Sequence, residues 1–181
     1  MTAPGWLADD EATASVFHRD ARPGTTAPFP DWVSPALREA VARQGIEAPW
    51  CHQVAAAEAA FAGRHVALAT GTASGKTLAY LLPVVTAAVD GRLGWTPSAA
   101  HESGRRRLGL SPRHTALYLA PTKALAHDQL RVFASLGLPE LRATALDGDS
   151  DREERRFARE FAGCVLSNPD MLHRSVLPQH A

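Results

Sequence analysis

The stretch Thr70-Gly71-Thr72-Ala73-Ser74-Gly75-Lys76-Thr77 decides how this chain is read. It follows a short apolar run, His65–Ala69, that reads as a strand, and it opens a helical pattern running from Lys76 to about Val89. Small residues between a strand and a helix let backbone N–H groups curl around phosphate oxygens, and the helix N-terminus adds a favourable dipole. In that setting the ammonium of Lys76 reaches the β- and γ-phosphates of a nucleoside triphosphate, and the Thr77 hydroxyl is placed to ligate Mg2+. The general pattern G-x-x-x-x-G-K-[ST] asks for glycine where this chain has Thr70, whereas Ser74-Gly75-Lys76-Thr77 is intact. The plain alternative is a Gly/Ser-rich turn capping an ordinary helix. Against it stands the lysine count: Lys76 and Lys123 are the only lysines among 19 basic residues, and both fall inside motifs.

Outward from the loop, strands alternate with helices. Ser34 caps a helix through about Gln44, with Pro35 in its first turn, and an Ala-rich helix covers about Cys51 to Ala62. Beyond the loop come a strand at Thr115–Ala120, a helix from Thr122 to Leu136 and a strand at Leu141–Leu146. An Asp147-Gly148-Asp149 turn follows, then a helix capped by Ser150 with Glu153 at the capping-box position, a strand at Cys164–Ser167 and a short helical turn opened by Pro169. This order predicts an α/β fold, a mostly parallel sheet with flanking helices. Residues 1–33 read as an N-terminal extension whose Phe29 and Trp32 dock on the body. Residues 90–113, rich in Gly and Pro and carrying Arg105–Arg107, read as a surface insertion.

With 181 residues, 45% apolar and 21% charged, the chain is sized for a single core and is not disordered throughout. No apolar run approaches the roughly 20 residues that span a bilayer, so no membrane partner is expected. Cys51 and Cys164 are too few for a disulfide scaffold, and a reducing cytoplasmic setting is expected. The histidines show no ligand spacing and read as surface or capping residues. The formal charge is zero, with 19 basic and 19 acidic residues, so bulk charge does not select for nucleic acid. Any such partner must be held by backbone amides and a few placed side chains.

The loop resembles motif I of the superfamily 2 DEAD/DEAH-box helicases, A-x-T-G-S-G-K-T, with Ala73 where that family commonly has Gly. Gly45-Ile46-Glu47-Ala48-Pro49-Trp50-Cys51-His52-Gln53 resembles the Q motif, with Gln53 lying 23 residues before Lys76. Ala120-Pro121-Thr122-Lys123-Ala124-Leu125-Ala126-His127-Asp128-Gln129 resembles motif Ia, and Ser167-Asn168-Pro169-Asp170-Met171-Leu172-His173 resembles motif Ib. The wording of the last block, together with Asp147-Gly148-Asp149 and Arg155-Arg156, looks most like the YprA/MrfA-type, RecQ-like branch.

The resemblance implies a RecA-like P-loop NTPase domain over residues 34–181, partial and without its closing strands. It implies ATP and Mg2+ as cofactors, held by Gln53 at the adenine edge, by Thr72, Ala73, Ser74 and Gly75, and by Lys76 and Thr77, the two catalytic candidates. It implies a single-stranded DNA backbone, with RNA left open, along Pro121, Thr122, Lys123, Ser167, Asn168, Pro169 and Asp170.

The 181 residues end before the point where this family places D-E-x-H, which supplies a carboxylate for Mg2+ and the Glu that activates water. The expectation is an N-terminal part of a longer helicase, with the remainder of that chain as its partner, inactive in hydrolysis alone and marginally stable. The apolar faces of its first and fourth strands are expected to be partly uncovered. A stand-alone, non-enzymatic nucleotide- or nucleic-acid-binding module is the competing reading. An unrelated small kinase is a third, and no lid or second carboxylate near the loop supports it.

Overall fold

The computed structural model describes residues 24–71, 74–93, 96–97, 110–111 and 115–180. Helices α1 (Pro35–Arg43), α2 (Cys51–Phe61) and α3 (Lys76–Val89) come first, and a small antiparallel pair, β1 (Thr96–Pro97) with β2 (Leu110–Ser111), lies within the expected insertion. Strand β3 (Ala116–Leu119), helix α4 (Lys123–Ser135), strand β4 (Ala143–Ala145), helix α5 (Arg152–Glu160) and strand β5 (Cys164–Ser167) complete the body. The short helix α6 (Pro169–Met171) closes it and continues in tight turns to His180. Residues 1–23 and the Arg105–Arg107 run lie outside the described residues.

The sheet is parallel and three-stranded, in the order β3-β5-β4. Composition explains the order. In β5, Cys164, Val165, Leu166 and Ser167 are all buried, as a strand covered on both faces requires. In β3, Leu117 and Leu119 stand exposed in alternation with half-buried Ala116 and Tyr118, which suits an edge. The main core lies on one face of this sheet, where Leu37, Val41, Leu82, Val85, Phe133 and Leu136 gather around Cys164 and Leu166. On the other face Ala158 of α5 and Ala162, just beyond its end, pack against Val165 and Leu146.

Three expectations need correction. His65–Ala69 is not a strand: residues 64–70 have no regular structure, and Val66 is 44% exposed. A strand needs a neighbour for its N–H and C=O groups, and no described segment pairs with this one. The fourth strand, β5, is central and buried, so the uncovered apolar side chains of the sheet are Leu117 and Leu119 of β3. Helix α5 is capped one residue later than expected. Asp151 accepts from the Glu154 N–H at 2.8 Å and Glu154 accepts from the Asp151 N–H at 2.9 Å, a reciprocal capping box. Ser150 is unavailable for that role because its Oγ accepts from the Asp147 N–H at 3.0 Å.

The described part of the N-terminal extension docks as expected. The Ala27 N–H donates to Pro49 O at 2.9 Å and the Cys51 N–H to Thr25 O at 2.8 Å, which lays the extension alongside the segment leading into α2. Gly24 lies flat on the Trp50 ring, where a Cβ would come within 2.2 Å of it. Arg38 donates to the carbonyls of Pro30 and Val33, and Trp32 stacks on Phe61 with ring centroids 4.1 Å apart. No described helix is long and apolar enough to cross a membrane.

Candidate functional site

Two groups of expected residues converge, each where a helix begins. The first surrounds the start of α3. Gln53, at the third position of α2 and only 4% exposed, accepts the Trp50 N–H on Oε1 at 2.7 Å and donates from Nε2 to Gly75 O at 2.6 Å. Each end of its amide retains one further hydrogen-bonding site. The His52 ring nitrogen Nε2 meets Ser74 O at 3.1 Å, and a carbonyl only accepts, so the ring donates. Successive carbonyls of the loop are therefore held by successive side chains of α2. Gly75 has φ of +72°, and a Cβ there would lie 2.6 Å from Gln53 Nε2. Glycine is required on both counts.

The Lys76 ammonium turns back into the loop. It donates to Gly71 O at 2.6 Å and Thr70 O at 3.0 Å, with the Thr70 and Ser74 hydroxyls each at 3.4 Å. Among the described residues it has no carboxylate partner; all four contacts are neutral oxygens. Lys76 lines a cavity of about 660 Å³ together with His65, Val66 and Tyr80, and a separate cavity of about 210 Å³ is lined in part by Ile46, Trp50, Gln53, Gly75 and Thr77. Thr72 and Ala73 lie outside the described residues.

The second group is built by the sheet. The parallel register sets Leu119 beside Ser167, and the Ala120 N–H continues the ladder to Ser167 O at 2.8 Å. Pro121-Thr122-Lys123 and Asn168-Pro169-Asp170 therefore emerge side by side at the carboxyl ends of β3 and β5. Thr122 caps α4 by accepting from the Leu125 N–H at 3.2 Å, and Asn168 caps α6 by accepting from the Met171 N–H at 2.8 Å. The Ser167 hydroxyl donates to Leu146 O at 2.6 Å and draws in the end of β4.

Sequence reading missed how tightly the next turn belongs to this surface. The Lys123 ammonium donates to Asp149 at 2.8 Å, and His127 Nε2 lies 2.9 Å from Asp147. The second oxygen of Asp147 accepts the Asp149 N–H at 2.8 Å. Arg155 donates to Ser150 O at 2.8 Å and to the carbonyls of Asp147 and Gly148 at 3.3 Å. Burial pushes the Asp147 carboxyl up. The His127 hydrogen bond, the Asp149 N–H and the Lys123 charge outweigh that and hold it below the usual carboxylate range. The hydrogen bond and charge of Asp149 raise the Lys123 ammonium. The readable signal was Asp147-Gly148-Asp149-Ser150, a composition that favours side-chain-closed turns. His52 and His127, read as surface or capping residues, each make a contact beyond their own block: His52 with the Ser74 carbonyl and His127 with the Asp147 carboxylate. Among the described residues no three His, Cys, Asp or Glu side chains gather as a metal site.

A parallel sheet flanked by helices, with a lysine-bearing loop at one helix start and further helix starts lined up at the strand ends, is the layout of a helicase motor domain. Residues 50–181 match the DEAD/DEAH box helicase family, and the chain belongs to it. It is 33% identical over 178 residues to the ATP-dependent helicase YprA of Bacillus subtilis, covering 96% of this chain and 21% of YprA. It is 37% identical over 137 residues to the ATP-dependent helicase HRQ1 of Saccharomyces cerevisiae, covering 73% of this chain and 11% of that protein. The crystal structure of the DUF1998 helicase MrfA bound to DNA and AMPPNP superimposes with a TM-score of 0.69 at 32% identity, over 88% of this chain and 20% of MrfA. The chain thus spans about a fifth of the length of YprA and MrfA. The match to MrfA identifies the small parallel sheet with flanking helices as part of a RecA-like helicase fold.

Proposed function

We propose that residues 34–181 are the nucleotide-binding part of the first motor domain of an ATP-dependent DNA helicase. Gln53 reads the adenine, and the loop amides with Lys76 take the β- and γ-phosphates. The Thr77 hydroxyl serves as a ligand for Mg2+, which would neutralise phosphate charge there. Pro121, Thr122 and Lys123, with Ser167, Asn168, Pro169 and Asp170, carry the backbone of a single strand. The observation that carries the reading is the Lys76 ammonium, hydrogen-bonded among the described residues only to neutral oxygens at the start of a helix. Such a charge favours an anion. DNA is proposed over RNA because the MrfA structure that resembles this chain is a DNA complex.

The 181 residues contain no D-E-x-H segment, so the chain by itself is expected to turn ATP over at less than about 0.1 s⁻¹, below the ordinary enzyme range of about 1 s⁻¹ and above. Calorimetric titration with Mg·ATP tests the binding claim. The wild-type chain is expected to bind, and Lys76→Ala to weaken binding about 100-fold, the loss of roughly 3 kcal/mol of charge-assisted contacts. Absence of binding by folded wild-type chain, or equal binding by Lys76→Ala, overturns the reading.

A further inference from the structure

We infer that Asp149 is a built-in competitor of nucleic-acid phosphate for Lys123, and that it sets the affinity and salt response of the strand-end surface. The inference rests on the proposal above that this surface carries a phosphate backbone. Lys123 is the first residue of α4, where the helix dipole already favours an anion. Asp149 holds that place in the structure, with its carboxylate 2.8 Å from the ammonium.

The carboxylate is delivered there by a turn fixed from several sides. Asp147 closes the turn on the Asp149 N–H and is itself gripped by His127, Ser150 binds the Asp147 N–H, and Arg155 holds three of its carbonyls. Little backbone entropy of the turn is therefore left to lose when Asp149 meets Lys123, and the side chains bear the remaining cost. The pair stays open to solvent, with side-chain exposures of 47% for Lys123 and 86% for Asp149. An exposed pair of this kind is worth at most about 1 kcal/mol, so a phosphate can displace it at modest cost.

The surrounding charges agree with a restrained surface. Lys123 is paired with Asp149, and other cations near the strand ends are engaged as well. Arg155 spends its donors on carbonyls, His127 is held by Asp147, and Arg174 is paired with Asp170 at 2.9 Å. Phosphate gains the cation at the start of α4 by taking Lys123 from Asp149. The displaced carboxylate then takes up a solution cation, which offsets part of the counterion release that accompanies phosphate binding.

The test is fluorescence anisotropy of a labelled oligothymidylate with the full 181-residue chain at about 50 and 200 mM salt. Asp149→Asn is expected to tighten binding about three- to fivefold at the lower salt, within what an exposed pair can withhold, and to steepen the salt dependence. Lys123→Ala is expected to weaken binding and to flatten the log–log salt slope by about 0.7. In the Lys123→Ala background, Asp149→Asn is expected to have no effect. Asp149→Ser with an unchanged melting temperature separates the charge effect from any change in the turn.

Binding that Asp149→Asn leaves unchanged or weakens overturns the competitor role while sparing the strand-end reading. Equal tightening in both backgrounds also overturns it, because the effect is then general repulsion. Absence of binding by wild type and Asp149→Asn alike overturns the strand-end reading and the competitor role together.

Discussion

The loop that carries Lys76 and the strand ends that carry Lys123 both lie where a helix begins, yet they are held by different means. The strand ends are fixed by the sheet: β3 and β5 share a ladder that runs through Ala120 and Ser167, and side chains from α4, α5 and β5 close the turn beyond β4. Among the described residues the Lys76 loop has no such ladder beneath it, because residues 64–70 pair with no described strand. Its position is set by the α2 side chains of His52 and Gln53, and by its own lysine. A motif can therefore be complete in residue types while its support comes from hydrogen bonds to another helix rather than from the strand that introduces it.

The sharpest way to break this contrast is to compare apolar truncations in the two regions. Leu166→Ala, in the fully buried central strand, is expected to cost about 2–5 kcal/mol in urea unfolding. A loss under 1 kcal/mol there would show that the sheet is not what holds the strand ends. Next in size, Gln53→Ala strips partners from the Trp50 N–H and the Gly75 carbonyl, and should cost about 1–3 kcal/mol. Nucleotide affinity should fall with it if α2 holds the loop; an unchanged calorimetric affinity would mean that the loop keeps its shape unaided.

Asn168→Ala removes the α6 cap and should cost about 1 kcal/mol by thermal melting, with Asn168→Asp largely restoring it. A smaller effect is expected from pH. Asp147 is held below its ordinary value of 3.8, so its contribution to stability is present above that value and is lost as pH falls through the lower, folded one. Melting temperature should therefore fall more steeply below about pH 4 in wild type than in Asp147→Asn, and identical profiles would remove the assigned role of the His127 contact. Smallest of all, Val66→Ala in the exposed segment should shift stability by less than about 0.5 kcal/mol; a core-sized loss would mean that the segment is packed.

Much of the molecule was readable locally. The limits of α3 at Lys76 and Val89 and of β5 at Cys164 and Ser167 match the sequence reading, because glycine, capping residues and apolar runs act within a few residues of themselves. The choice between Ser150 and Asp151 as cap was not readable, since both are good caps and the decision came from the bond between Ser150 Oγ and the Asp147 N–H. The pairing of Lys123 with Asp149 spans 26 residues, a separation at which no local pattern reports a contact. The failure at His65–Ala69 has the same root: an apolar run supplies strand propensity, but a strand exists only when a neighbour completes its ladder.

Residue types and spacing alone determined the family, the α/β alternation, the loop glycine and the two lysines in their motifs, since each depends on chemistry carried within a short stretch. Tertiary structure decided which strand is central, which carboxylate meets Lys123, and that Gln53 spends half of its hydrogen-bonding capacity inside the protein. Those outcomes depend on bringing distant backbone and side-chain groups within about 3 Å of one another, and folding, not the order of residues along the chain, sets that proximity.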